Sequence, residues 1–156
     1  MDDRFSYRNL ILWQRAQELA HDVIQVTKRL PNSWSSAVIA RQIIASVTSI
    51  GANIAEGHGR FTFAAYRNHL SIARGSTAET DSWLDLLYRE GLLEKDEEQR
   101  LHQRCRQLLG MLTTKINVLD AENSRNKNSL RETSAEYTVD PPVDPTLLFD
   151  ENDYSP

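Results

Sequence analysis

The stretch VIARQIIASVTSIGANIAEGHG, Val38–Gly59, decides the fold. Its large apolar residues Ile39, Ile43, Val47, Ile50 and Ile54 recur at steps of four, four, three and four, which lines one face of an α-helix. Ile44 thickens the face, and Gly57-His58-Gly59 reads as a C-terminal stop. An apolar stripe of this length has to be buried, so the neighbouring segments must supply its cover.

They do so at the same period. Upstream, Trp13, Ala16, Ala20, Val23, Thr27 and Leu30, with Leu12, Leu19 and Val26 thickening the stripe, mark a helix with one broad buried face that Pro31 stops, with Asn32-Ser33 as turn and the next helix starting near Ser35 or Ser36. Downstream, Thr62 is placed to cap a helix from Phe63 to about Glu90, which carries Tyr66, Leu70, Ala73, Thr77, Trp83, Leu84 and Leu87 inward and stops at Gly91. Gly75, mid-helix, is expected to admit a close neighbour. The acidic run Asp96-Glu97-Glu98 opens a fourth helix, with Leu101, Cys105, Leu108, Leu112, Ile116 and Leu119 along it to about Ala121. Four helices of about 20 to 28 residues joined by short turns predict an all-α protein, an antiparallel up-down-up-down four-helix bundle over residues 1–123.

Charge and proline separate the rest of the chain from this body. Residues 1–123 hold 15 Lys+Arg and 15 Asp+Glu, residues 124–156 hold 3 and 7, and four of the five prolines lie in that last stretch. Residues 124–156 therefore read as a disordered acidic tail, with Leu147, Leu148 and Phe149 as an apolar island suited to hooking a protein partner. No run approaches the roughly 18 uninterrupted apolar residues of a membrane span and Met1-Asp2-Asp3-Arg4 lacks a signal-peptide pattern, so a cytoplasmic protein with no membrane partner is expected.

Catalysis finds little support. His21, His58, His69 and His102 fall in no metal-ligand spacing, and Cys105, the single cysteine, sits on a core stripe, so no metal, no cofactor and no enzyme activity are expected. The better constellation is cationic. Arg60, Arg67 and Arg74 are spaced by seven, and Arg100 and Arg104 by one turn, rows that could follow a phosphate backbone. In an electroneutral body, ion pairing within the bundle is the favoured reading of these rows taken alone. Asn53 and Glu56 close the second helix, where a carboxylate needs an answering cation; Arg60 and Arg74 are the candidates, in a polar network between helices two and three.

The same residues carry a resemblance. Leu10-Ile-Leu-Trp13-Gln14, then Asn53-Ile-Ala-Glu56-Gly57-His-Gly-Arg60, then Tyr66-Arg-Asn-His-Leu70-Ser-Ile-Ala-Arg74-Gly75-Ser76 with Glu79 resemble, in order, the signatures of the four-helix-bundle family named for proteins encoded in 23S ribosomal RNA intervening sequences. That family is related to the accessory variability determinant of diversity-generating retroelements. The resemblance implies a homopentamer that binds nucleic acid, RNA or DNA, and engages a reverse transcriptase. One departure weighs against the binding part, because the family's paired arginines after the Gln-Ile of helix two are replaced here by Ile44 and Ala45, and its proline by Gly51. The expected function is thus a non-enzymatic, ring-forming accessory protein that binds nucleic acid; the alternative is a noncatalytic adaptor recruiting a protein through its tail.

Overall fold

The computed structural model describes residues 6–136, and of residues 129–136 only the helical backbone. A 3₁₀ turn at Tyr7–Asn9 leads into four helices: α1 (Ile11–Thr27), α2 (Trp34–His58), α3 (Phe63–Arg89) and α4 (Lys95–Glu136). The protein is an all-α four-helix bundle. Contacts between helices fix the directions: α2 and α3 run antiparallel, with Ser46 near Thr80 and Ser49 near Ser76, while Arg100 of α4 meets Asp22 of α1 and Arg67 of α3 meets Asp120 of α4.

Local chemistry accounts for most helix ends. Ser33 Oγ accepts the Ser36 amide at 3.1 Å, and Thr62 Oγ1 accepts the Ala65 amide at 3.2 Å, each satisfying a donor that a helix N-terminus leaves free. Gly91 takes the left-handed conformation, φ 68°, after α3; Leu92 N–H then reaches the Leu87 carbonyl and Gly91 N–H that of Tyr88, the paired bonds of a Schellman stop. Gly59, expected as the equivalent stop of α2, keeps φ −79°, so α2 ends there without a left-handed residue.

One apolar cluster draws on all four helices, among them Leu19 and Val23, Ile43 and Ile50, Leu70 and Leu87, and Leu101 and Leu112. Each such side chain contributes about 1.5–3 kcal/mol on burial. Of the broad face expected of α1, Leu12, Ala16, Leu19, Ala20, Val23 and Val26 are buried, while Trp13, Thr27 and Leu30 at its edge are half-buried. Trp13 instead stands edge-on to Tyr7, ring centroids 5.2 Å apart, and covers the entry to α1.

Two further differences concern α2 and α4. By length and mean hydropathy α2 would suffice to cross a bilayer, yet its Ile43, Val47, Ile50 and Ile54 are in the bundle core and its other faces present Arg41 and Glu56. Helix α4 does not end near Ala121 but continues to Glu136, so residues 124–136, expected to be non-helical, are helix. The apolar repeat does stop at Leu119, but nothing from Glu122 to Glu136 is Gly or Pro, and an established helix propagates cheaply through polar residues. Among the described residues, those up to Asn123 form one compact unit and those from Ser124 belong to a second. Leu147, Leu148 and Phe149 lie outside the described residues.

Candidate functional site

Along the contact between α2 and α3, polar side chains form a ladder. Thr80 Oγ1 lies 3.0 Å from Ser46 Oγ, and Ser76 Oγ lies 3.1 Å from Ser49 Oγ. Asn53 donates its amide to the Ser49 carbonyl and hydroxyl, and its oxygen lies 3.3 Å from His69 Nδ1. Arg60 Nε donates to His69 Nε2 at 3.2 Å, which fits a neutral imidazole with its proton on Nδ1. The Arg60 guanidinium also binds the Glu56 carboxylate, and so answers the negative charge at the end of α2. Thr80 and Ser46 are buried, and no buried side-chain polar atom among the described residues lacks a partner.

Glycine makes this contact close. A Cβ on Gly57 would stand 2.8 Å from Tyr66 Cδ2 and 2.9 Å from His69 Cβ, so only glycine lets α3 approach here. Gly51, where the resembled family has proline, occupies space that a Cβ would dispute with the Gln17 amide. Gly75 behaves otherwise. Nothing among the described residues lies within 4 Å of its would-be Cβ, so the expected close neighbour is not found there. Of the other family-motif residues, Gln14 donates to the Arg8 carbonyl and ties the 3₁₀ turn to α1, whereas Glu79 is exposed beside the Trp83 indole, away from the ladder.

The arginine rows are mostly neutralised in place. Arg67 pairs with Asp120 at 2.6 Å, Arg100 with Asp22 at 2.7 Å, Arg104 with Asp22 at 3.2 Å, and Arg60 with Glu56. Arg74 alone of the five candidates is exposed with no ion pair among the described residues. Glu18 and Asp22, the acidic counterparts on α1, lie one turn apart, like Arg100 and Arg104, a spacing visible in the sequence whose partner becomes plain only once α1 and α4 are neighbours. At Ile44 and Ala45 the side chains are half-buried and exposed, so arginines there would extend a basic surface that this chain lacks.

His102, Asp81 and Cys105 do converge. His102 Nδ1 lies 2.6 Å from Asp81 Oδ1. Burial, and then the charge and hydrogen bond of Asp81, push the buried Cys105 thiol far above the ordinary range. A thiol held protonated beside a carboxylate is the opposite of an activated nucleophile. No group of three or more His, Cys, Asp or Glu side chains among the described residues could hold a metal ion.

A large concavity lies elsewhere, in a groove of about 890 Å³ along the start of α1 and the middle of α4, with Tyr66 among its lining residues. Its lining includes Ile11, Leu12, Leu108, Met111 and Val118, with Arg15, Arg104, Arg106 and Lys115 beside the single acid Glu18. Ile11 is 63% and Val118 42% exposed. Lys115 Nζ stands 5.8 Å from the Tyr66 ring centre, and burial raises the phenol above its usual range. Sequence reasoning missed this groove. Its signal was Met111 and Val118, seven apart on α4 and off the core stripe.

Residues 8–114 match the model of the 23S rRNA-intervening sequence protein family. The crystal structure of a protein of unknown function from the S23 ribosomal protein family of Bacteroides thetaiotaomicron is similar to this chain at 29% identity and TM-score 0.64, covering 68% of this chain and 98% of that one. No curated protein matches the chain. With the four-helix core and more than half of the chain matched, the protein belongs to the 23S rRNA-intervening sequence protein family.

Proposed function

We propose that this chain is a non-enzymatic, self-associating accessory protein, homopentameric as its family resemblance implies, whose work is to hold macromolecular partners rather than transform a substrate. The observation that carries the reading is the pairing of surface charge: four of the five candidate arginines already face carboxylates, while the α1/α4 groove leaves apolar side chains exposed. Exposed apolar surface rimmed by polar groups marks protein–protein contact. An adaptor role toward a protein partner, a reverse transcriptase being the one the family resemblance implies, fits this surface best. Size-exclusion chromatography with light scattering tests the self-association, and a monomeric mass at working concentration rules it out.

A second reading, binding of RNA or DNA, is favoured by Arg74, Arg41 and Arg106, which are exposed without ion pairs among the described residues and would be repeated around a symmetric ring. The family's own name ties it to ribosomal RNA insertions. Electrophoretic mobility of structured RNA and duplex DNA at two salt concentrations tests it. Phosphate contacts give a shift that weakens steeply with salt, and no shift at low salt removes the reading.

A further inference from the structure

We propose that the α1/α4 groove is the docking site for the acidic segment Asp144–Asp153 of a second copy of this chain. The groove offers an apolar floor, Leu12, Leu108 and Met111, flanked by the exposed Ile11 and Val118. Of its four cations, Arg15 pairs with Glu18 at 2.8 Å and Arg104 with Asp22 at 3.2 Å, which leaves Arg106 and Lys115 with no ion pair among the described residues as the charges open to an acidic occupant. The chain itself carries the complement. Asp144-Pro-Thr-Leu147-Leu148-Phe149-Asp150-Glu151-Asn-Asp153 places three large apolar side chains between four carboxylates, and no lysine or arginine occurs from residue 132 to the last residue.

Apolar anchors seat in a hydrophobic groove while flanking charges set partner and orientation, as in other peptide-in-groove recognition. A segment of one copy in the groove of the next is a heterologous contact, and such contacts repeated around a closing rotation make a ring. The proposal rests on the self-association above and adds to it a specific surface and a specific occupant. It does not depend on nucleic-acid binding.

The test mixes two batches of full-length chain by co-refolding. One carries a nitroxide on Asn152→Cys, attached selectively because Cys105 is buried; the other carries ¹³C-methyl labels and no nitroxide. The expected result is loss of more than half the intensity of the Ile11, Met111 and Val118 methyl signals in the mixture. Arg106→Glu with Lys115→Glu in the methyl-labelled chain should abolish the loss, and Asp150→Lys with Glu151→Lys in the nitroxide chain should restore it. No broadening, broadening only when both labels share one chain, or broadening indifferent to the charge reversals each overturns the proposal. Mass in solution separates the two failures: an oligomer without broadening sinks the docking alone, and a monomer sinks the self-association with it.

Discussion

Gly57 lies against Tyr66 so closely that a Cβ at position 57 would come within 2.8 Å of the ring and 2.9 Å of His69 Cβ. Gly57→Ala should therefore destabilise the bundle by about 1–3 kcal/mol, because the neighbours are a ring and a Cβ held by their own helix rather than a flexible chain end. Urea denaturation monitored by circular dichroism measures this directly.

Gly75→Ala is expected to act the other way. With open space around it, alanine should gain about 0.5–1 kcal/mol from helix propensity in the isolated subunit. A loss of assembly accompanying that gain, read by light scattering, would place position 75 in a contact between copies.

Thr80→Val should cost about 1–2 kcal/mol, since it keeps the shape of a buried side chain and removes its hydrogen bonds near Ser46 and the Ser76 carbonyl. Combining it with Ser46→Ala should cost less than the two single changes added together. Strict additivity in that cycle would show that the hydroxyls are not coupled.

Cys105 is expected to resist thiol reagents in the folded protein and to react once urea unfolds it. Its pKa is raised in the folded state above the ordinary 9.0, chiefly by burial. Stability from the protonated thiol is thus complete below pH 9 and lost as pH rises past it, where only the unfolded chain gains by ionising. The urea midpoint should fall faster from pH 8.5 to 10.5 in the native chain than in Cys105→Ala.

Arg67 and Asp120 are each about half exposed, at 48% and 47%, so a double-mutant cycle on them should return no more than about 1 kcal/mol and shrink with added salt. A coupling well above that would mark the pair as more shielded than its exposure indicates.

The fold was legible because the Ile39-to-Ile54 stripe and the stripes matched to it have a period that only helices satisfy, and because Ser33, Thr62 and Gly91 punctuate them. The end of α4 was not legible, since loss of apolar period at Leu119 says where the core stops and not where the backbone stops being helical. In the candidate site the answer to Glu56 could be narrowed to Arg60 or Arg74 by charge alone; only the turn at 59–62 selects Arg60. Pairings across 53 or 78 residues, Arg67 with Asp120 and Arg100 with Asp22, require knowing which helices are neighbours and how each is rotated. Trp13, expected in the core, sits half-buried at the edge of the α1 face, which shows how small an angle decides that.

The ladder between α2 and α3 has a consequence for register. Isoleucine and leucine layers tolerate exchange of one aliphatic side chain for another of similar volume, so by themselves they specify alignment less sharply than polar contacts do. Slipping α3 by one helical turn would bring Thr80 away from Ser46 and Ser76 away from Ser49, stranding the buried members of the ladder without partners. Those few polar contacts act as a key that admits one alignment, which leaves the apolar layers free to vary in sequence while the pairing of the two helices stays fixed.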